Sequence, residues 1–185
     1  MESVWKASAM IRHATPADGA ACAEIYRPSV AGGVASLEDV PPAADEMTHR
    51  IQAIQRTHPW LVDEHDGELA GYAYASRHHN RSAYRWATDV TVYVAERHKR
   101  RGVARGLYEQ LFELVRRQGF TVACAGITLP NDASVGLHET LGFQPVGIYR
   151  KVAWKLGEWR DVGWWQLELL PMGAERPAEP RGPER

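Results

Sequence analysis

Apolar positions recur with two different periods along this chain, and the periods take turns. Alternation of the kind a half-buried strand requires marks residues 10–13, 60–65, 68–76, 84–94 and 122–127. Two further strands flank the turn Lys155-Leu156-Gly157-Glu158. A helical period appears between them. Thr15 reads as an N-cap, with Pro16 in the first turn and Asp18 beside the helix start, so the pattern predicts a helix to about Tyr26. Pro41 and Pro42 open a second helix, in which Met47, Ile51 and Ile54 share one face. Val103, Leu107, Leu111, Leu114 and Val115 form the stripe of a third, stopped by Gly119. A short fourth helix, SVGLHETL, ends at Gly142. Asp66-Gly67 is a hairpin turn signal, and the polar run RHHNRS reads as a loop. Strands alternating with helices, with hairpins at both ends, predict one mixed α/β sheet with helices on both faces.

The 185 residues suffice for one domain. The expected division is a flexible leader over 1–8, a domain over 9–170 and a disordered tail over 171–185, which is rich in Pro, Gly and charge. Lys+Arg 22 against Asp+Glu 23 leave a formal net charge of -1. No global field therefore favours nucleic acid or an anionic membrane, and any basic site must be local. No apolar run approaches the roughly 20 residues that span a bilayer. The opening MESVWKASAM lacks the apolar core of a signal peptide. The two cysteines, Cys22 and Cys124, lack C-x-x-C spacing. A reduced, cytoplasmic setting is expected.

Charge does concentrate once. Arg97, Lys99, Arg100, Arg101 and Arg105 crowd the junction between the strand ending VTVYV and the third helix. Unpaired N–H groups and a partial positive charge make a helix start a phosphate site. Gly102 removes the Cβ that would block close approach, Ala104 keeps the next position small, and the cations suit a pyrophosphate. The turn lacks the Lys-Ser/Thr of a Walker loop and the G-x-G-x-x-G of a Rossmann turn.

Lys99-Arg100-Arg101-Gly102-Val103-Ala104 resembles instead the [Q/R]-x-x-G-x-[G/A] loop of the GNAT acyltransferases, with Lys at the first position. Residues 129–143, LPNDASVGLHETLGF, are similar to their second signature, N-x-x-S-x-x-[LM]-[YH]-E-x-x-G-[FY]. Residues 155–167, KLGEWRDVGWWQL, and the loop VASLE at 34–38 resemble the phosphinothricin N-acetyltransferases within that superfamily. Residues 60–62 and 71–75 fit the same family's central hairpin.

The resemblance implies a GNAT fold with a mixed, mostly antiparallel sheet of about six to seven strands and acetyl-CoA as co-substrate. Arg100, Arg101, Gly102, Val103, Ala104 and Arg105 would hold its pyrophosphate. Val92, Tyr93 and Val94 would pair with the pantetheine amides, and Asn131 and Ser134 would contact the same arm or its phosphates. It further implies a small amino-acid acceptor and a homodimer, with no nucleic acid, membrane or metal.

Acetyl transfer to an amine needs a group that removes a proton from the ammonium. Alternation sets Asp89, Thr91 and Tyr93 on one face of their strand and Val90, Val92 and Val94 on the other. In the phosphinothricin branch a Glu stands where this chain has Asp89 and is the general base. Asp is one methylene shorter, so action through a water is expected. His138 stands where most GNAT enzymes carry a tyrosine acid; an imidazole suits either accepting the amine proton or protonating the leaving thiolate, and both roles stay open. His138-Glu139-Thr140-Leu141-Gly142 lacks the second His of a zincin. Cys124 reads as a small core residue, and His78 and His79 read as solvated.

Arg77, Arg81 and Arg85 precede the candidate base, and guanidinium forks suit carboxylate or phosphinate. Arg81 matches the Arg of the family's acceptor loop, and Tyr84 and Leu37 would wall the acceptor's methylene chain. Arg77 and Thr91 complete the candidate acceptor set. The acceptors implied are phosphinothricin, arsinothricin, or methionine sulfoximine and sulfone. Alternatives are a protein N-terminus as acceptor, or a non-catalytic acyl-CoA sensor. Trp154, Trp159, Trp164 and Trp165 crowd the last hairpin as an interface or as the finish of a sheet edge.

Overall fold

The computed structural model describes residues 9–183, so the leader expected over 1–8 lies outside the described residues. Seven strands, β1 (Ala9–His13), β2 (Trp60–His65), β3 (Glu68–Arg77), β4 (Ala87–Val94), β5 (Val122–Leu129), β6 (Gln144–Lys155) and β7 (Glu158–Glu168), form one sheet in the order β1-β2-β3-β4-β5-β7-β6. Every neighbouring pair is antiparallel except β4 and β5. This is the mixed, mostly antiparallel sheet that the family resemblance implies.

Helices cover both faces. On one, α1 (Gly19–Ala31) and α2 (Ala44–Ile54) pack Cys22, Tyr26, Val30, Met47 and Ile51 against Trp60, Val62 and Tyr72. On the other, α3 (Val103–Gln118) drives Leu107, Tyr108, Leu111, Phe112 and Val115 into Leu61, Ala73, Val90, Ala123 and Ala125. The short α4 (Asp132–Thr140) packs Val135 and Leu137 on that same core. Strand β2 is buried on both sides, which is why Trp60-Leu61-Val62 is apolar without a break.

Several boundaries differ from the pattern. A 3-10 turn at Pro16–Asp18 precedes α1, and the Asp18 carboxylate accepts the Thr15 N–H at 2.7 Å and a fork from Arg12. Helix α1 runs past Tyr26 and through Pro28 to Ala31, because burying Val30 outweighs the N–H that Pro28 lacks. Strand β4 starts at Ala87, since Ser82–Tyr84 coil into a 3-10 turn. Residues 171–183, expected to be disordered, have no helix or strand but are tied to the body. The Trp86 Nε1–H donates to the Ala178 carbonyl at 2.8 Å, the Arg181 N–H to Gln118 at 2.7 Å, and Glu179 pairs with Arg85.

Candidate active site

Strands β4 and β5 hold each other over three residue pairs, Ala87–Val122, Thr88–Ala123 and Asp89–Cys124, and then separate. Beyond Asp89, β4 stays bonded to β3 and β5 to β7, so the gap between them opens like a wedge. The wedge is a cavity of about 670 Å³ walled by residues 90–94 of β4 and 125–128 of β5. Backbone N–H and C=O groups along its β4 wall have no strand to meet across the gap, which suits an extended ligand that carries amides.

At the wide end the cavity reaches the first turn of α3. Gly102 sits at φ 86 in the left-handed region and opens the helix. The N–H groups of Val103, Ala104 and Arg105 begin that helix and have no preceding turn to bond. Lys99, Arg100, Gly102, Val103, Ala104 and Arg105 all line the cavity. Lys99 and Arg105 are ion-paired with Glu96 at 2.6 Å and Glu109 at 2.8 Å; exposed pairs of this kind are weak and yield to a doubly charged phosphate. Two members of the cluster stand apart. Arg97 pairs with Glu68 at the far end of β3. Arg101, expected at the pyrophosphate, is exposed and outside the lining, because the turn into α3 carries it outward.

Asn131 and Ser134 line the opposite wall. The Asn131 Oδ1 caps α4 by accepting the Ser134 N–H at 3.1 Å. One turn on, His138 is 4 % exposed. Its Nδ1 lies 2.7 Å from the Ser134 carbonyl and must therefore donate, which leaves Nε2 to accept from the Tyr108 hydroxyl at 3.2 Å. Burial lowers the His138 pKa against the opposing bond to Ser134, so the ring is neutral near pH 7. Burial likewise raises Tyr108, which keeps its proton. Of the two roles left open for His138, protonated acid is not the one this environment favours. Tyr108 also lines the cavity; in the sequence it cannot be told apart from the apolar stripe of α3.

At the narrow end, Asp89 is half-buried and burial raises its pKa against the hydrogen bond from His78. The His78 Nδ1 lies 2.6 Å from the Asp89 Oδ1. His78 is thus not the solvated loop residue its surroundings suggested: Ser76 pairs with Asp89 in register, so the first residues after β3 fold back over the carboxylate. Trp164 meets the His78 ring edge-on, with ring centroids 5.8 Å apart, and Tyr84 stands 5.9 Å away. His79 is exposed, as expected. The Cys124 thiol is buried and pushed up to about 11 by that burial, which fits a core residue and not a nucleophile. His78, Asp89 and Cys124 bring one ligand atom each within 4.8 Å of one another.

The candidate acceptor residues divide. Thr91 lines the cavity, and Arg81 and Tyr84 flank the His78 turn. Leu37 is exposed on a loop whose Ala35 lines the cavity. Arg77 does not join them: it is paired with Thr88 across β3 and β4, and its charge acts on His58 on the α3 face, opposite Asp89. Arg85 is held by the Ser82 carbonyl and Glu179.

A strand pair that parts to admit a pantetheine-like arm, with a glycine-led helix start at its mouth, defines an acyl-CoA-dependent acyltransferase. Residues 11–164 match the model of the acetyltransferase (GNAT) domain, and the chain belongs to that family. It is 40% identical over 170 residues to the phosphinothricin N-acetyltransferase of Streptomyces viridochromogenes, covering 92% of this chain and 93% of that one. It is 35% identical to the L-methionine sulfoximine/L-methionine sulfone acetyltransferase of Salmonella typhimurium, over 86% and 94% of the two chains. Among solved structures, a phosphinothricin acetyltransferase of Sinorhizobium meliloti in complex with acetyl-CoA superposes with a TM-score of 0.88 at 34% identity, covering 92% and 94%.

Proposed function

We propose that this enzyme transfers the acetyl group of acetyl-CoA to the α-amino group of a small amino acid whose side chain ends in a tetrahedral polar head. Phosphinothricin, arsinothricin and methionine sulfoximine or sulfone are the candidates, and their acetylation would confer resistance to them. The observation that carries this reading is the separation of β4 from β5 immediately after Asp89. It supports Asp89 as a proton acceptor next to the narrow end of a cavity whose wide end suits a pyrophosphate.

The thioester would lie between Asp89 and Tyr108. Asp89 supports removal of a proton from the acceptor's ammonium. Tyr108, retaining its proton beside neutral His138, supports the departing sulfur as a hydrogen-bond donor. Arg81 would take the anionic head, with Tyr84, Leu37 and Thr91 around the side chain. Holding both reactants in one cleft would supply much of the rate. The outer face of β6 and the exposed Trp154 and Trp159 support a homodimer. Both cysteines are free, in keeping with a reducing, cytoplasmic setting.

Thiol release from acetyl-CoA is the direct test, run across L-phosphinothricin, arsinothricin, L-methionine sulfoximine, an N-terminal peptide and a polyamine. Saturable release with a tetrahedral-headed amino acid is the expected result. Binding of acetyl-CoA without release for any acceptor would leave the sensor reading instead.

A further inference from the structure

The structure assigns the proton-accepting atom of this site to His78 Nε2, with Asp89 as the residue that positions and charges the ring. The inference rests on the acetyl-transfer reading above and places an imidazole where a bridging water was expected. His78 Nδ1 and Asp89 Oδ1 are 2.6 Å apart. A carboxylate facing Nδ1 fixes the tautomer with hydrogen on Nδ1 and leaves Nε2 with a lone pair. No hydrogen bond engages Nε2 among the described residues. Trp164 meets the ring edge-on and Tyr84 flanks it. Asp89 is the last residue of β4 paired with β5, and Thr91, two residues on, already lines the cavity. Asp89 and His78 are themselves outside the cavity's lining and stand at the rung where its narrow end closes, next to Val90.

The arrangement is the carboxylate–imidazole pair of general-base catalysis. His78 Nε2 takes one proton from the acceptor's ammonium, and the imidazolium is held against the Asp89 carboxylate. The freed amine forms its N–C bond as the thioester C–S bond breaks. A second proton from the same nitrogen goes to the leaving sulfur, and His78 returns its own to water. One ammonium and one thioester become one amide, one thiol and one released proton. A neutral imidazole nitrogen is a stronger base than a lone carboxylate and takes the proton directly. The other titratable groups facing the pair are Cys124 on β5, Tyr74 on β3, and His79 and Tyr84 beside the turn.

The experiment compares wild type, His78→Ala, His78→Gln, Asp89→Asn and His78→Ala/Asp89→Asn, using the acceptor that the release assay identifies. It reads kcat/KM from pH 5.5 to 9 and acetyl-CoA Kd by calorimetry. Each single variant should lose about 100-fold or more in kcat/KM while acetyl-CoA Kd stays within about twofold. His78→Gln retains a donor for Asp89 but cannot accept a proton, so it should fail equally. The double variant should fall no further than about threefold below the worse single, because the two act as one unit. Added imidazole should restore part of the rate of His78→Ala and none of His78→Gln. If both His78 variants keep kcat/KM within about threefold of wild type while Asp89→Asn loses its activity, the assignment is overturned and acetyl transfer stands. Fully additive losses, or no imidazole rescue of a His78→Ala protein that still binds acetyl-CoA, overturn it as well. A wild type that turns over no acceptor removes the acetyl-transfer reading itself, a result distinct from all of these.

Discussion

Asp89 and Cys124 face each other across the last rung of the parallel ladder between β4 and β5. The site follows from that rung. Below it the two strands are paired, with Thr88 and Ala123 fully buried; above it each has a partner on its outer side only. A sheet interrupted in this way sacrifices ladder hydrogen bonds, and the unpaired β4 wall gives them back to a ligand of peptide-like shape. On the proposed reading, acceptor chemistry is confined to the rung and phosphate binding to the far mouth.

Gly102 separates those two demands experimentally. An added methyl would touch nothing within 4 Å, but φ of 86 is a left-handed conformation. Gly102→Ala should cost about 1–2 kcal/mol in that conformation and raise acetyl-CoA Kd about tenfold. Gly67→Ala is the control, because Gly67 has nearly the same φ, 82, in the β2–β3 hairpin turn away from the cavity. Calorimetric titration with acetyl-CoA should separate the two variants, while their melting temperatures fall alike.

Elements with a clean period were legible from the residues: β2, the apolar stripe of α3 and its Gly119 stop stand where the pattern puts them. The start of β4 was not, because Tyr84 continues the apolar alternation although the chain coils there. The basic turn before α3 announces itself through local charge and glycine. His78 has no such signal. It becomes meaningful only through the register of β3 on β4, a contact between residues 11 positions apart that no local spacing encodes. Tyr108 is hidden for a similar reason: its hydroxyl meets His138 across 30 residues. Arg77 erred the other way, since one residue of alternation put a promising charge on the wrong face.

His58 should make the fold sensitive to mild acid. It is buried against Phe120 with ring centroids 5.1 Å apart, and burial, then the charge of Arg77, lowers its pKa from 6.5 to about 4. The unfolded chain therefore binds this proton more tightly than the native one, so stability falls as pH drops below 6.5 and stops falling from this source below about 4. The loss at pH 5 amounts to about 2 kcal/mol. Asp18 and Glu38, with lowered pKa values, act at more acidic pH, and Asp89, raised, has the opposite sign. Urea unfolding at pH 7.5 and pH 5 should show His58→Phe, which keeps the stacked ring, losing about 2 kcal/mol less than wild type. Equal losses would place the acid sensitivity elsewhere.

Lys155 is the anchor of the Leu37 loop. Its ammonium is buried at the tip of the β6–β7 hairpin and donates to the carbonyls of Val30, at 2.8 Å, and of Glu38. The same loop is held by Arg50 on the Glu38 carboxylate at 2.6 and 2.9 Å and by Tyr26 on Ser36 at 2.6 Å. Lys155→Met keeps the stem but strands both carbonyls, at about 2–3 kcal/mol of stability. Because Leu37 on this loop is proposed to wall the acceptor, KM for the amino acid should rise about tenfold, with KM for acetyl-CoA changed much less. Steady-state kinetics with each substrate varied in turn check this, and equal rises in both would show a general loosening of the fold.

The hairpin that buries Lys155 also carries a run of exposed apolar side chains. Strand β6 is the sheet edge, and Val146, Ile148, Tyr149, Val152 and Trp154 are exposed along it; Trp159 meets Trp154 edge-to-face at 5.3 Å, each 58% exposed. An unprotected apolar edge invites a second strand, and a second copy of the chain offers the same edge about a twofold axis. Light scattering should therefore give twice the 20.7 kDa chain mass. Trp154→Glu/Trp159→Glu should shift it to the monomer, since two buried carboxylates facing their symmetry mates are strongly unfavourable. Lys155 adjoins Trp154 and holds the Leu37 loop, so the monomeric variant should also bind the amino acid more weakly while keeping its affinity for acetyl-CoA. A wild type that scatters as a monomer would rule the dimer out, and a monomeric variant with unchanged acceptor KM would show that the interface and the acceptor loop are independent.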